Sequence, residues 1–139
     1  MRALVSRYFL CAAFLITSFL TSAWNAHAQD TLDVARVIEI LAAGEATELM
    51  AWAGDRVELA LLGQTRRYSR EQAYYVLKAF FHQYPPEGFT LGHSLTQGNE
   101  WWLTGLYQVR YDAARMRVYL RLGGKYPTYT LLAIQIIRM

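Results

Sequence analysis

One helix with sharply marked ends constrains this chain more than anything else in it. Within Tyr68–Pro86, Ser69 and Gln72 form an S-x-x-Q capping box, so each side chain can satisfy an orphan backbone N–H at the other residue. Tyr68 and Ala73 stand where a hydrophobic staple would bracket that box. From there Ala73, Val76, Leu77, Phe80, Phe81 and Tyr84 recur at helical spacing as one apolar stripe, while Arg70, Glu71, Lys78 and His82 take the other side. Pro85 and Pro86 stop the helix, because neither ring can continue its hydrogen-bond ladder. Burying the large side chains of such a stripe stabilises by roughly 1.5–3 kcal/mol each. The helix therefore needs a broad apolar partner, and the rest of the chain points to a sheet.

The N-terminus reads as a leader. Arg2 and Arg7 are basic, Tyr8 to Leu20 is an almost unbroken apolar run, and Ala26-His27-Ala28 is an A-x-A site before Gln29. Residues 1–28 are expected to be a signal peptide cleaved after Ala28; the competing reading is a retained signal anchor, because the run approaches the roughly 17 residues that can span a bilayer. Cys11 lacks the small residues of a lipobox and would leave with the leader. What remains, residues 29–139, is 111 residues without cysteine and fits one domain. It has no disulfide framework, thiolate nucleophile or cysteine metal site. The formal net charge of +3 falls to +1 once Arg2 and Arg7 are set aside, which gives no reason to expect nucleic acid as a partner. The expected location is the periplasm or outside the cell.

Asp30 or Thr31 can cap a first helix whose apolar face is Val34, Val37, Ile38 and Leu41, with Gly44 as its C′ residue. A short helix follows over Glu45 to Ala53, with Leu49 and Trp52 on one side, and Gly54-Asp55 reads as a turn. Arg56 to Leu62 alternates as a strand with Val57, Leu59 and Leu61 buried, and Gly63 to Arg67 reads as a polar connection. Beyond the prolines the period changes to two. Four strands are expected: Gly88–Gln97, Trp101–Tyr111, Arg115–Leu122 and Tyr126–Arg138. The turns between them are Gly98-Asn99, Asp112-Ala113 and Gly123-Gly124-Lys125, and their shortness implies an antiparallel meander. Pro127 suggests an edge strand or a strand's first position. The expected fold class is α+β: helix-helix-strand-helix and then a four-strand meander, with the helices on one face of a curved, mainly antiparallel sheet. Gly92, Gly98 and Gly105 are the places for its bends or bulges.

This order, carried by Ala42-Ala43-Gly44, Val57-Glu58-Leu59, Tyr68-Ser69, Gln72-Ala73, Val76-Leu77, Phe80-Phe81 and Pro85-Pro86, resembles a family of small secreted bacterial proteins of unknown function in the nuclear transport factor 2-like (cystatin-like) superfamily. Phe89, His93, Gly105, Leu106, Arg117, Val118 and Tyr119 fit the same pattern, and the resemblance covers nearly all of residues 29–139. These are mostly packing and turn positions. The segment Ala133 to Met139 departs from the family, lacking acidic residues among its apolar ones. The resemblance implies a cone-shaped α+β domain. The superfamily also includes small isomerases and dehydratases that hold an Asp, His or Tyr inside an apolar cone.

Catalysis of that kind needs an ionisable group kept dry, with its pKa moved toward working pH. Asp112 and Glu100 fall at turns, Glu58 alternates out of phase with the buried residues, and His82 is on the polar side of the central helix. His93 and Tyr107 are the catalytic candidates. No metal-ligand spacing joins His82 to His93, and neither a nucleophile elbow, a phosphate loop nor a dinucleotide fingerprint is present. No cofactor is implied.

The meander is more informative. Trp101, Leu103, Tyr107, Val109 and Tyr111 share one expected face, and Trp102, Thr104, Gln108 and Arg110 the other. Met116, Val118, Leu120 and Leu122 alternate with Arg115, Arg117, Tyr119 and Arg121. One face should pack on the helices; the opposite one interleaves arginines with aromatics. Trp102, Arg110, Arg117, Tyr119 and Arg121 are the candidate binding residues. Three readings stand for that face: a solvated sheet surface with arginines lying over rings, an interface with a protein partner or a second copy, or a site for an anionic ligand. The functional expectation is a non-catalytic binding or assembly module that uses this face or a pocket in the cone, its partners a second copy, another protein or a small molecule. The alternative is a cone-pocket lyase or isomerase acting on an apolar small molecule.

Overall fold

The computed structural model describes residues 34–125 and 128–139. The leader, Asp30, Thr31 and Pro127 lie outside the described residues. The chain runs α1 (Val34–Ala43), α2 (Ala46–Ala51), β1 (Ala53–Leu61), β2 (Gln64–Ser69), α3 (Arg70–Gln83), β3 (Pro86–Gln97), β4 (Glu100–Val109), β5 (Arg115–Lys125) and β6 (Thr128–Arg138). Six strands form one sheet in the order β2-β1-β6-β5-β4-β3, antiparallel except for the β1–β6 pair. No described helix is long and apolar enough to cross a membrane.

The helix ends follow their local chemistry. The α1 terminus is a Schellman motif: the Glu45 N–H donates to the Ile40 carbonyl and the Gly44 N–H to the Leu41 carbonyl, with Gly44 at φ +68°. At α3 both halves of the capping box form, the Gln72 N–H donating to Ser69 Oγ and the Ser69 N–H to Gln72 Oε1, each at 3.2 Å. The α3 stripe is buried at Ala73, Leu77, Phe80 and Phe81 and half-buried at Val76 and Tyr84. On α1 the inward face includes Ile40 together with Val37 and Leu41.

Four expectations are corrected. Gly54-Asp55 is not a turn but part of β1, which starts at Ala53 straight after α2. Gly63 to Arg67 is not a connection, because Gln64–Ser69 pairs antiparallel with β1 through a two-residue turn, Leu62-Gly63, in which both residues have positive φ. Gly123-Gly124-Lys125 belongs to β5, where these residues pair with Thr130, Tyr129 and Thr128. Of the two readings of Pro127, the edge strand is excluded, because β6 lies between β5 and β1 with Leu131, Ile134 and Ile136 buried, while the first-position reading falls outside the described residues.

The core lies between the helices and one face of the sheet. Val57 and Leu59 from β1, Trp101, Leu103, Tyr107 and Val109 from β4, and Met116, Val118, Leu120 and Leu122 from β5 all enter it. Tyr111 does not: it adopts φ +62° just past the end of β4, leaves the strand alternation, and is 96% exposed.

Candidate functional site

Aromatic side chains from α3 and β4 meet inside the sheet's curve. Tyr107 is fully buried, its ring 6.2 Å from both Phe80 and Phe81, and Phe80 also stacks at 5.1 Å on Tyr84. The Tyr107 hydroxyl donates to the Tyr84 carbonyl at 2.5 Å. Burial pushes the Tyr107 phenol well above the ordinary tyrosine value, so the proton stays on oxygen at neutral pH. A tyrosine held this way anchors the end of α3 to β4.

His93 lies on the other side of the sheet. Strict alternation from the half-buried Leu91 would bring it back inward, but the β3–β4 register shifts between Leu91, opposite Gly105, and His93, opposite Thr104. Gly92 is the inserted residue of a bulge, and one extra residue reverses every side chain beyond it. His93 is therefore exposed on the outward face. The structure puts the two catalytic candidates on opposite sides of the sheet. Among the described residues no group of three His, Cys, Asp or Glu side chains comes together in a way that could hold a metal ion.

That outward face brings four of the five binding candidates together. The register draws a line through all six strands: Arg67, Glu58, Ala133, Arg121, Trp102 and Leu95. The adjacent line is Thr65, Ala60, Gln135, Tyr119, Thr104 and His93. Trp102 is 40% exposed and its cross-strand neighbour Leu95 is 60% exposed, an apolar pair facing solvent at the β3–β4 end. The Arg121 guanidinium lies 5.6 Å from the Trp102 ring centroid and 3.7 Å from a Glu100 carboxylate oxygen, so its charge is already engaged. Arg117 forms no ion pair among the described residues. Arg110 stands apart, beyond the end of β4, where its backbone N–H donates to the Pro85 carbonyl at 2.7 Å.

Two shallow grooves cut this face, and Tyr119 borders both. One, of about 320 Å³, holds Glu58, Trp102, Tyr119 and Arg121 over Ala60 and Ala133. The other, of about 410 Å³, lies over the Gly92 bulge and is lined from β3, β4 and β5, with His93, Thr104, Arg117 and Tyr119 among its polar residues. Sequence reasoning singled out Arg117 and Tyr119 from alternation alone. It missed Leu95, whose exposure is set by the bulge, and could not see that Thr90, Thr104 and His93 would join Arg117 in one concavity.

Comparison with known proteins bears on the fold. Residues 34–136 match the family model described as Domain of unknown function (DUF4783). A DUF4783 family protein from Bacteroides ovatus superposes with a TM-score of 0.71 at 22% identity, covering 78% of this chain and 97% of that one. An uncharacterized protein with a cystatin-like fold from Silicibacter pomeroyi gives a TM-score of 0.55 at 15% identity, covering 76% of this chain and 72% of that one. A second S. pomeroyi structure, an NTF-2 like protein of unknown function, gives 0.51 at 11% identity, covering 76% and 87%. No curated protein matches the sequence.

Proposed function

We propose, for a chain that belongs to the DUF4783 family of domains of unknown function and has the nuclear transport factor 2-like fold, that it is an exported, non-catalytic binding or assembly module whose working surface is the outward face of the sheet. The observation that carries this reading is the placement of Trp102 and Leu95 side by side in solvent, flanked by Arg121, Tyr119 and Arg117 on the neighbouring strand. Tryptophan, tyrosine and arginine are the residue types that concentrate binding energy in interfaces. A sheet face left to water has no need of a half-exposed tryptophan beside an exposed leucine. The packing of Phe80, Phe81 and Tyr107 against one another between α3 and β4 supports the same reading from the other side. Export rests on the leader-like residues 1–28.

The test is a charge reversal on this face. Arg117→Glu combined with Arg121→Glu should abolish concentration-dependent self-association in analytical ultracentrifugation, or capture of a partner by crosslinking in the periplasm, while the circular dichroism spectrum stays that of the native domain. Wild-type behaviour in both assays would overturn the proposal.

A further inference from the structure

The groove over the Gly92 bulge has a chemistry that its neighbour lacks, and we infer that it binds a small amphipathic carboxylate, the acid group on Arg117 and the apolar body along Leu106. The inference deepens the module reading and rests on it, because it assigns a ligand class to part of the same face.

Charge is the first argument. The groove contains one guanidinium and one imidazole, Arg117 and His93, and no carboxylate among the described residues lines it. Among the described residues no acidic side chain pairs with Arg117. The neighbouring groove differs on both counts: Glu58 lines it, and its Arg121 is held by Glu100 and by the Trp102 ring. An anion entering this groove therefore meets an uncompensated cation at Arg117. A guanidinium presents a planar fork that matches two carboxylate oxygens.

Hydrogen bonding and shape are the second. The register places Arg117 opposite Leu106, Leu106 opposite Thr90, and Tyr119 opposite Thr104, which in turn faces His93. The hydroxyls of Thr90, Thr104 and Tyr119 thus surround one aliphatic side chain, Leu106, across three strands. Gly92 adds no side chain to the floor, and a Cβ built there would come within 3.2 Å of the Thr104 carbonyl oxygen. The bulge both bends β3 and leaves the depression clear. At about 410 Å³ it is near the lower end of volumes that hold small molecules. It is open to solvent, so specificity comes from joining a charge to an apolar tail and neither part suffices alone.

The experiment titrates the protein with sodium octanoate below its micellar concentration, with acetate as the charge alone and octanol as the tail alone, read by amide chemical shifts and calorimetry. Saturable octanoate binding should give its largest shifts at 90–93, 104–106 and 117–119, and both controls should bind at least tenfold more weakly. Arg117→Glu should weaken octanoate by about tenfold or more, as expected for losing a charge-assisted contact, and Arg117→Gln should weaken it in the same direction without reversing the charge. Lys78→Glu, an exposed charge change on α3 at the helix side of the sheet, should leave the affinity within about threefold. Octanol binding as well as octanoate, shifts centred on Trp102 and Leu95, or full affinity in Arg117→Gln would each overturn the inference. Failure here with assembly still lost in the Arg117/Arg121 double variant would remove the ligand assignment and keep the module. Octanoate binding with unaltered assembly would keep the ligand site and remove only the assembly role of this face.

Discussion

Replacing Gly105 with alanine tests the packing of the sheet at the most crowded of its described glycines. Gly105 sits in the middle of β4 on the inward face, between Leu103 and Tyr107, and the ring of Phe89 lies across its Cα. A Cβ added there would meet Phe89 Cζ at 2.2 Å, Phe89 Cε2 at 2.6 Å and the Thr90 carbonyl oxygen at 2.6 Å. The ring would have to retreat by roughly an ångström to reach ordinary contact, but it is only 8% exposed and close-packed neighbours resist that shift. The carbonyl is backbone in the adjacent strand and can yield only by distorting the ladder. Overpacking of this kind typically costs about 1–3 kcal/mol, and two obstructions at once, one of them backbone, place this variant near the upper end. The unfolded chain loses freedom when glycine becomes alanine, which returns about 0.4–1 kcal/mol, leaving a net loss of about 2 kcal/mol. With a urea slope of about 1–3 kcal/mol per molar for small domains, the unfolding midpoint should fall by about 0.7–2 M. Gly88→Ala is the control. It lies on the paired strand, and its added Cβ would meet only Gln108 Oε1 at 3.7 Å, so its midpoint should change little or rise. The double variant Gly105→Ala with Phe89→Leu should recover part of the loss expected from adding the two single effects, since the ring is removed and the Thr90 carbonyl remains. A Gly105→Ala midpoint equal to that of Gly88→Ala would refute the reasoning.

Two further predictions concern single contacts. Ser69→Ala removes the acceptor for the Gln72 N–H at the start of α3 and should cost about 1 kcal/mol in a urea melt; a loss below a few tenths would show that this helix start is held by β2 rather than by its cap. For Tyr107 the folded-state pKa is raised, so its contribution is complete below the ordinary tyrosine value of about 10 and declines as pH rises past it, by up to about 1.4 kcal/mol per pH unit. Tyr107→Phe should be the less stable protein at pH 7, having lost the bond to the Tyr84 carbonyl, and the gap to wild type should narrow between pH 9 and pH 11; a gap independent of pH would contradict the burial argument.

The parts of this molecule that were legible in advance are those decided within a few residues of chain. The Ser69/Gln72 box and the stripe Ala73, Leu77, Phe80 and Phe81 are neighbours on one helix, so sequence spacing is spatial spacing. Gly44 ends α1 by a local backbone motif, and alternation on β5 sends Met116, Val118, Leu120 and Leu122 inward and Arg117, Tyr119 and Arg121 outward. The binding candidates on β5 were legible for that reason.

What tertiary structure decided depends on partners far away in sequence. Gln64–Ser69 has no apolar alternation and is a strand because β1 offers it an edge; its run of exposed polar side chains suits the end of a sheet. The interior position of β6 follows from its parallel pairing with β1, which no local signal announces. One inserted residue, Gly92, moved His93 from the cone side to the outward face and placed it with Arg117, because register is a property of two strands together. Whether the cone would be open or filled rested on how Phe80, Phe81 and Tyr107 meet from two different elements. Periodicity assigns a side chain to a face; only the packed pair of elements settles what that face touches.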